Sequence, residues 1–95
     1  MEQVLVNKQI EDLVRGEYSA EEAKEIISNL ILQKINFHNL KDFRSKERFG
    51  EADKNSIMRI EELKESRQHL LDVIDAAKKA GKTVKISSTI AIELI

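Results

Sequence analysis

The apolar residues follow an alternating pattern at the end of the chain and a helical pattern before it. After Gly81, one side of the alternation carries Val84, Ile86, Ser88, Ile90, Ile92 and Leu94. The positions between them are mostly polar, and the segment is rich in β-branched side chains, which favour extended backbone. A helix would scatter these apolar groups around its circumference. The pattern therefore predicts a β-strand over residues 83–94.

A long helix is predicted in the first half of the chain. Ser19 and Glu22 have the spacing of a capping box, in which each side chain satisfies a backbone amide at the helix start. An apolar stripe at helical spacing follows and predicts a helix over residues 20–41. Residues 42–50 break the stripe, so we interpret them as a connection in which Gly50 lets the backbone reverse.

A second long helix is predicted between this connection and the strand. Its apolar face consists of Ile57, Ile60, Leu63, Leu70, Leu71, Ile74 and Ala77. This face predicts a helix over residues 52–80 that stops at Gly81. Folded as an antiparallel hairpin about residue 46, the two helices would bring His38 level with about residue 55.

The start of the chain is predicted to form a short helix. Val6, Ile10, Leu13 and Val14 recur at helical spacing within residues 2–15, and Gly16 follows where a helix cap would lie. The run Val4-Leu5-Val6 could instead form a short strand.

Together these elements predict a mainly α-helical fold, with one domain over residues 1–95. It has a short N-terminal helix, a long antiparallel helical hairpin and one C-terminal strand. A single strand leaves its backbone groups without partners. We therefore expect the strand to pair with its own copy in a homodimer, through Val84, Ile86, Ile90, Ile92 and Leu94. Residues 4–6 and a different protein are the other possible partners.

Composition narrows the class of protein. The chain of 95 residues has no Cys, Pro or Trp, which excludes a disulfide scaffold and any cysteine-based centre. Sixteen basic residues against seventeen acidic ones leave a net charge of −1, without the strong basic excess of a nonspecific nucleic-acid binder. No apolar run is long enough for a membrane span or a signal peptide. We expect a cytoplasmic protein without a membrane partner.

Two groups of basic residues are candidates for binding an anionic partner. One lies near the hairpin tip and comprises Lys41, Arg44, Lys46 and Arg48. The other enters the strand and comprises Lys78, Lys79, Lys82 and Lys85. In a dimeric ribbon the second group could contact DNA. The favoured interpretation is that these lysines complement a helix end and protect a sheet edge.

The remaining candidate residues do not suggest catalysis. His38 and His69 would lie about 20 Å apart in the hairpin, so we expect no metal site within one subunit and no cofactor. A site between subunits stays open. A small recognition surface near the tip could use Asn36, His38, Asn39, Phe43 and Phe49, although these aromatic rings could simply close the core.

These observations predict a small non-catalytic protein-interaction or assembly protein that forms a homodimer. The alternative is a dimeric nucleic-acid-binding regulator that uses the C-terminal strand and its lysines.

Overall fold

A computed structural model describes residues 7–95 of the chain. The elements are strand β1 (Lys8–Tyr18), helix α1 (Ala20–Phe49), helix α2 (Lys54–Lys79) and strand β2 (Val84–Glu93). The helices form an antiparallel hairpin, and the strands form a two-stranded antiparallel ribbon where the helical hairpin opens. The predicted helical hairpin and the C-terminal strand are confirmed.

Helix α1 begins at the predicted capping box and ends later than predicted. Ser19 Oγ accepts a hydrogen bond from the Glu22 amide at 3.1 Å, and the Glu22 carboxylate accepts one from the Ser19 amide at 3.0 Å. These bonds lower the pKa of Glu22, the backbone amide contributing most. The helix then runs to Gly50, whose positive φ of 70° stops it. Residues 42–49 are helical because no Gly or Pro interrupts them, so the predicted connection there was wrong.

The predicted short N-terminal helix is also wrong, because residues 8–18 form β1. A β-bulge between Asp12 and Val14 adds one residue to the strand and interrupts its alternation. The extra residue, Leu13, places two apolar residues in succession and so imitates helical spacing. Gly16 is not a helix cap but a strand residue, and a Cβ there would lie only 3.2 Å from the Tyr18 hydroxyl. The alternative strand at residues 4–6 lies outside the described residues.

The partner predicted for the C-terminal strand was wrong as well. Strand β2 pairs with β1 of the same chain, from Val84 opposite Tyr18 to Glu93 opposite Lys8. Its backbone therefore does not depend on a second copy. The side chains chosen for a dimer strand divide into two groups: Val84 and Ile86 pack against the helices, whereas Ile90, Ile92 and Leu94 are exposed.

The core lies where the ribbon meets the open end of the helices. Ala23, Ile74 and Ile86 form a buried cluster there, contributed by α1, α2 and β2. Around this cluster pack the partly buried residues Val14, Tyr18, Ala20, Ile26, Ile27, Leu71 and Val84. Further along, Ile31, Ile60 and Leu63 are buried in the helical part of the fold. The ribbon thus holds the two helix ends together.

Candidate functional site

The tip of the helical hairpin is tied by side chains rather than left as a loose loop. Asp42 accepts a hydrogen bond from the Asp53 amide at 2.8 Å, and its other oxygen lies 3.1 Å from Lys46 Nζ. These contacts lower the pKa of Asp42, the Asp53 amide most strongly. The Ser45 hydroxyl donates to the Glu51 carbonyl at 2.8 Å. The tip therefore presents its surface side chains from a fixed backbone.

Basic side chains line an open groove at this tip. Lys41, Arg44 and Arg48 flank the groove together with Phe49, and Glu47 and Asp53 also line it. Within residues 7–95 no ion pair joins these three cations to a carboxylate. Lys46, the fourth predicted member, is instead paired with Asp42. The predicted tip cluster is thus brought together with one exception.

Basic and acidic residues are nearly equal in number over the whole chain, but they are unevenly distributed in the folded molecule. Residues 34–59 hold seven Lys and Arg against four Asp and Glu, whereas the rest of the chain holds nine against thirteen. The hairpin gathers residues 34–59 at one end of the molecule. This end is therefore positive, although the whole chain has a net charge of −1.

His38 lies between the helices just below the tip. Its Nδ1 atom is 3.2 Å from Ser56 Oγ, and Ser56 is almost fully buried. The predicted level of His38 in the hairpin, near residue 55, is confirmed by this contact. The other ring nitrogen, Nε2, is buried without a hydrogen-bond partner among the described residues. A protonated imidazole needs an acceptor for both N–H groups, so this setting favours the neutral ring.

The pKa of His38 is lowered below its ordinary value. Desolvation by burial is the largest cause, and the nearby charges of Lys34, Lys41 and Arg59 add to it. Asp53 opposes them. Lys34 and Arg59 were not predicted as neighbours of this site, since their positions along the chain gave no reason to group them.

We expect acid to weaken the fold through His38, whose pKa is lowered by burial. Because the folded-state pKa is depressed, its contribution to stability is complete above about pH 6.5 and is lost as the pH falls through the folded value. Urea midpoints should therefore fall between pH 7.5 and pH 5, and His38→Gln should flatten this dependence.

His69→Gln is the matched control, since His69 is exposed on α2. Its midpoints should fall with pH as the wild-type values do. Equal slopes for His38→Gln and the wild type would show that the ring does not carry the effect.

The predicted lysine cluster near the strand is largely neutralised by neighbouring acids. Lys78 Nζ lies 3.7 Å from Glu21, and Lys79 Nζ lies 3.1 Å from Asp75. Lys85 stands directly opposite Glu17 in the sheet. Lys82 is exposed in the turn before β2. These positions accord with a structural role at a helix end and a sheet edge.

The predicted recognition surface is not one surface. His38 turns towards α2, and Phe49 lies in the basic groove. Asn36, Asn39 and Phe43 are exposed and follow one another at helical spacing along a different line of α1. The five residues therefore lie in at least three different environments.

The outer half of the ribbon carries uncovered apolar side chains. Ile90, Ile92 and Leu94 continue the face on which Ile86 is buried, because alternate residues of a strand point to the same side. Ile86 is only 8% exposed, whereas Ile92 is 63% exposed. The helices thus cover the inner half of this face and leave the outer half open. We call Ile90, Ile92 and Leu94 the outer ribbon face.

Some classes of site find no support in the described part of the chain. Between residues 7 and 95, no group of three His, Asp or Glu side chains is arranged to hold a metal ion. Over the same range, neither helix has an apolar stretch long enough to cross a bilayer. Comparison with protein-family models, curated proteins and solved structures finds no match for this chain.

Proposed function

We propose that this chain is a small, non-catalytic interaction protein that self-associates into a homodimer. The supporting observation is its excess of surface. The chain exposes 8010 Å² for a mass of 10.9 kDa, whereas a compact monomer of that mass exposes about 5600 Å². Its radius of gyration is 17.6 Å, against about 12 Å for a compact domain of this length.

The outer ribbon face is the proposed contact. A stable dimer of standard size covers about 800 Å² on each partner, so this face would form the centre of a contact that also covers the surface around it. Two copies that pack this face together would extend the core of Ala23, Ile74 and Ile86 across the dimer. The contact is a packing of faces, and the backbone pairing of β1 with β2 stays within each chain.

A charge placed on the outer ribbon face tests the dimer. Sedimentation velocity of the wild type should give twice the 10.9 kDa chain mass, and Ile92→Asp should weaken association at least about tenfold, because it buries an unpaired charge. Ile92 is largely exposed within one chain, so the fold of the monomer should tolerate the change.

Ser87→Asp is the control on the opposite face of the same strand. Ser87 is exposed and stands opposite Arg15, which can pair with the new carboxylate. This variant should remain dimeric. A wild type that stays monomeric at high concentration, or equal masses for the two variants, would contradict the proposal.

A further inference from the structure

A line of basic residues runs along the exposed surface of α1. Lys34, Lys41, Arg44 and Arg48 follow one another at intervals of seven, three and four residues, with Phe37 completing the series between the first two. Such intervals keep residues on one side of a helix, so the line is straight and about 21 Å long. All five side chains are exposed. We call these five residues the basic line.

A line of acidic residues with the same spacing and length runs along α2. It consists of Glu61, Glu65, Gln68, Asp72 and Asp75, at alternating intervals of four and three residues. These five side chains are exposed as well. Lys64 and Lys79 lie near its ends, 3.6 Å from Glu61 and 3.1 Å from Asp75. We call these residues the acidic line.

The two lines do not meet within one chain. Among the described residues, no ion pair joins the basic line to the acidic line. The helices turn Ile31, Ile60 and Leu63 inwards, and helical geometry then places the lines on opposite sides of the helical hairpin. Each chain thus presents a basic side and an acidic side of matching length.

We infer that the basic line of one chain binds the acidic line of a second copy, so that chains associate basic side to acidic side. Side-by-side helices with this spacing would bring Lys34, Arg44 and Arg48 opposite carboxylates whether they run parallel or antiparallel. The contact is separate from the outer ribbon face, and it goes beyond a closed dimer. Because the contact joins two different surfaces, it leaves one of each free at the ends and adds further copies.

A nucleic acid fits the basic line less well than a second copy does. Stacking of bases needs free aromatic faces, and the aromatic ring of the basic line, Phe37, has Lys34 Nζ 4.7 Å from its centroid and the His38 ring centroid 5.2 Å away. Glu47 and Asp53 line the same groove and would repel phosphates. The periodic spacing, in contrast, matches another helix.

Salt dependence separates this contact from the outer ribbon face. Exposed ion pairs are individually weak and are screened by salt. Light scattering at high protein concentration should therefore show a mass that rises with concentration in 50 mM NaCl and returns to a fixed value in 500 mM NaCl. A dimer through the outer ribbon face persists at both salt concentrations, so failure of one proposal is distinguishable from failure of the other.

Charge reversal on each line provides the decisive test. Arg44→Glu with Arg48→Glu leaves the basic line without net charge, and Glu61→Lys with Glu65→Lys leaves the acidic line without net charge. Each variant alone should lose the low-salt association, at least about tenfold in the association constant. An equimolar mixture should restore it, since the intact acidic line of the first variant then meets the intact basic line of the second.

A matched variant controls for net charge alone. Lys24→Glu with Lys82→Glu makes the same charge change as the α1 variant but away from the basic line. Because both lines stay intact in this variant, it should keep the low-salt association that the Arg44→Glu, Arg48→Glu chain loses. Equal loss of association in the control and in the Arg44→Glu, Arg48→Glu chain, no low-salt association of the wild type, or tighter binding of a 20-nucleotide thymidine strand to the basic line would overturn the inference.

Discussion

A chain that ends at Gly81 is expected to lose most of its stability. The truncation removes β2, which supplies all the pairing partners of β1 from Lys8 to Tyr18. It also removes Ile86 from the buried cluster and uncovers Ala23 and Ile74. Burial of one such aliphatic side chain contributes about 1.5–3 kcal/mol, and a small domain has only about 5–15 kcal/mol in total. The free energy lost with the whole strand is therefore comparable with the entire free energy of unfolding.

Circular dichroism and hydrogen exchange measure this loss. The truncated chain should melt at least about 15 °C lower, or without a cooperative transition, because several kcal/mol shift the midpoint of a domain this small by that amount. The amides of β1 should lose their protection. A chain that ends at Thr89 is the control, since it retains Val84, Ile86 and the inner half of the ribbon. If the chain ending at Gly81 melted like the full chain, the ribbon would not hold the helices together.

The elements with strong local signals could be predicted from the sequence. The alternation after Gly81 located β2, and the capping box located the start of α1. The hairpin geometry placed His38 close to its actual neighbour, Ser56. Each of these features depends on neighbouring residues alone, through caps and periodicity, and needs no knowledge of distant contacts.

The missed strand β1 depended on a distant contact. Its alternation is broken by the bulge at Leu13, so its apolar residues fit a helical spacing better than a strand spacing. Only β2, which is more than sixty residues away along the chain, makes the extended form favourable. Without β1, the C-terminal strand had no apparent partner in the same chain. This is why it was predicted to pair across a dimer.

The early end predicted for α1 concealed the most informative surface. With the helix stopped at residue 41, Arg44 and Arg48 appeared to lie in a connection, and their alignment with Lys34 was not recognised. The net charge of −1 concealed it too, because acidic residues elsewhere in the chain offset the positive tip. The excess of positive charge is concentrated in residues 34–59, which the helical hairpin gathers at its tip.

Replacing Ile74 by Ala is expected to destabilise the fold by about 2–5 kcal/mol, the range for an isoleucine truncated in a packed core. Ile74 is 6% exposed and contributes the α2 side chain to the cluster with Ala23 and Ile86. Ile57→Ala removes the same atoms from the same helix. Because Ile57 is 43% exposed, this variant should lose less than about 1 kcal/mol of unfolding free energy. Urea denaturation of both variants at fixed protein concentration measures the difference. The buried cluster is so small that it has no second isoleucine from α2 to compensate. Equal losses at the two positions would mean that the junction of ribbon and helices is not the centre of stability, and that the exposed side of α2 is buried in the assembled protein.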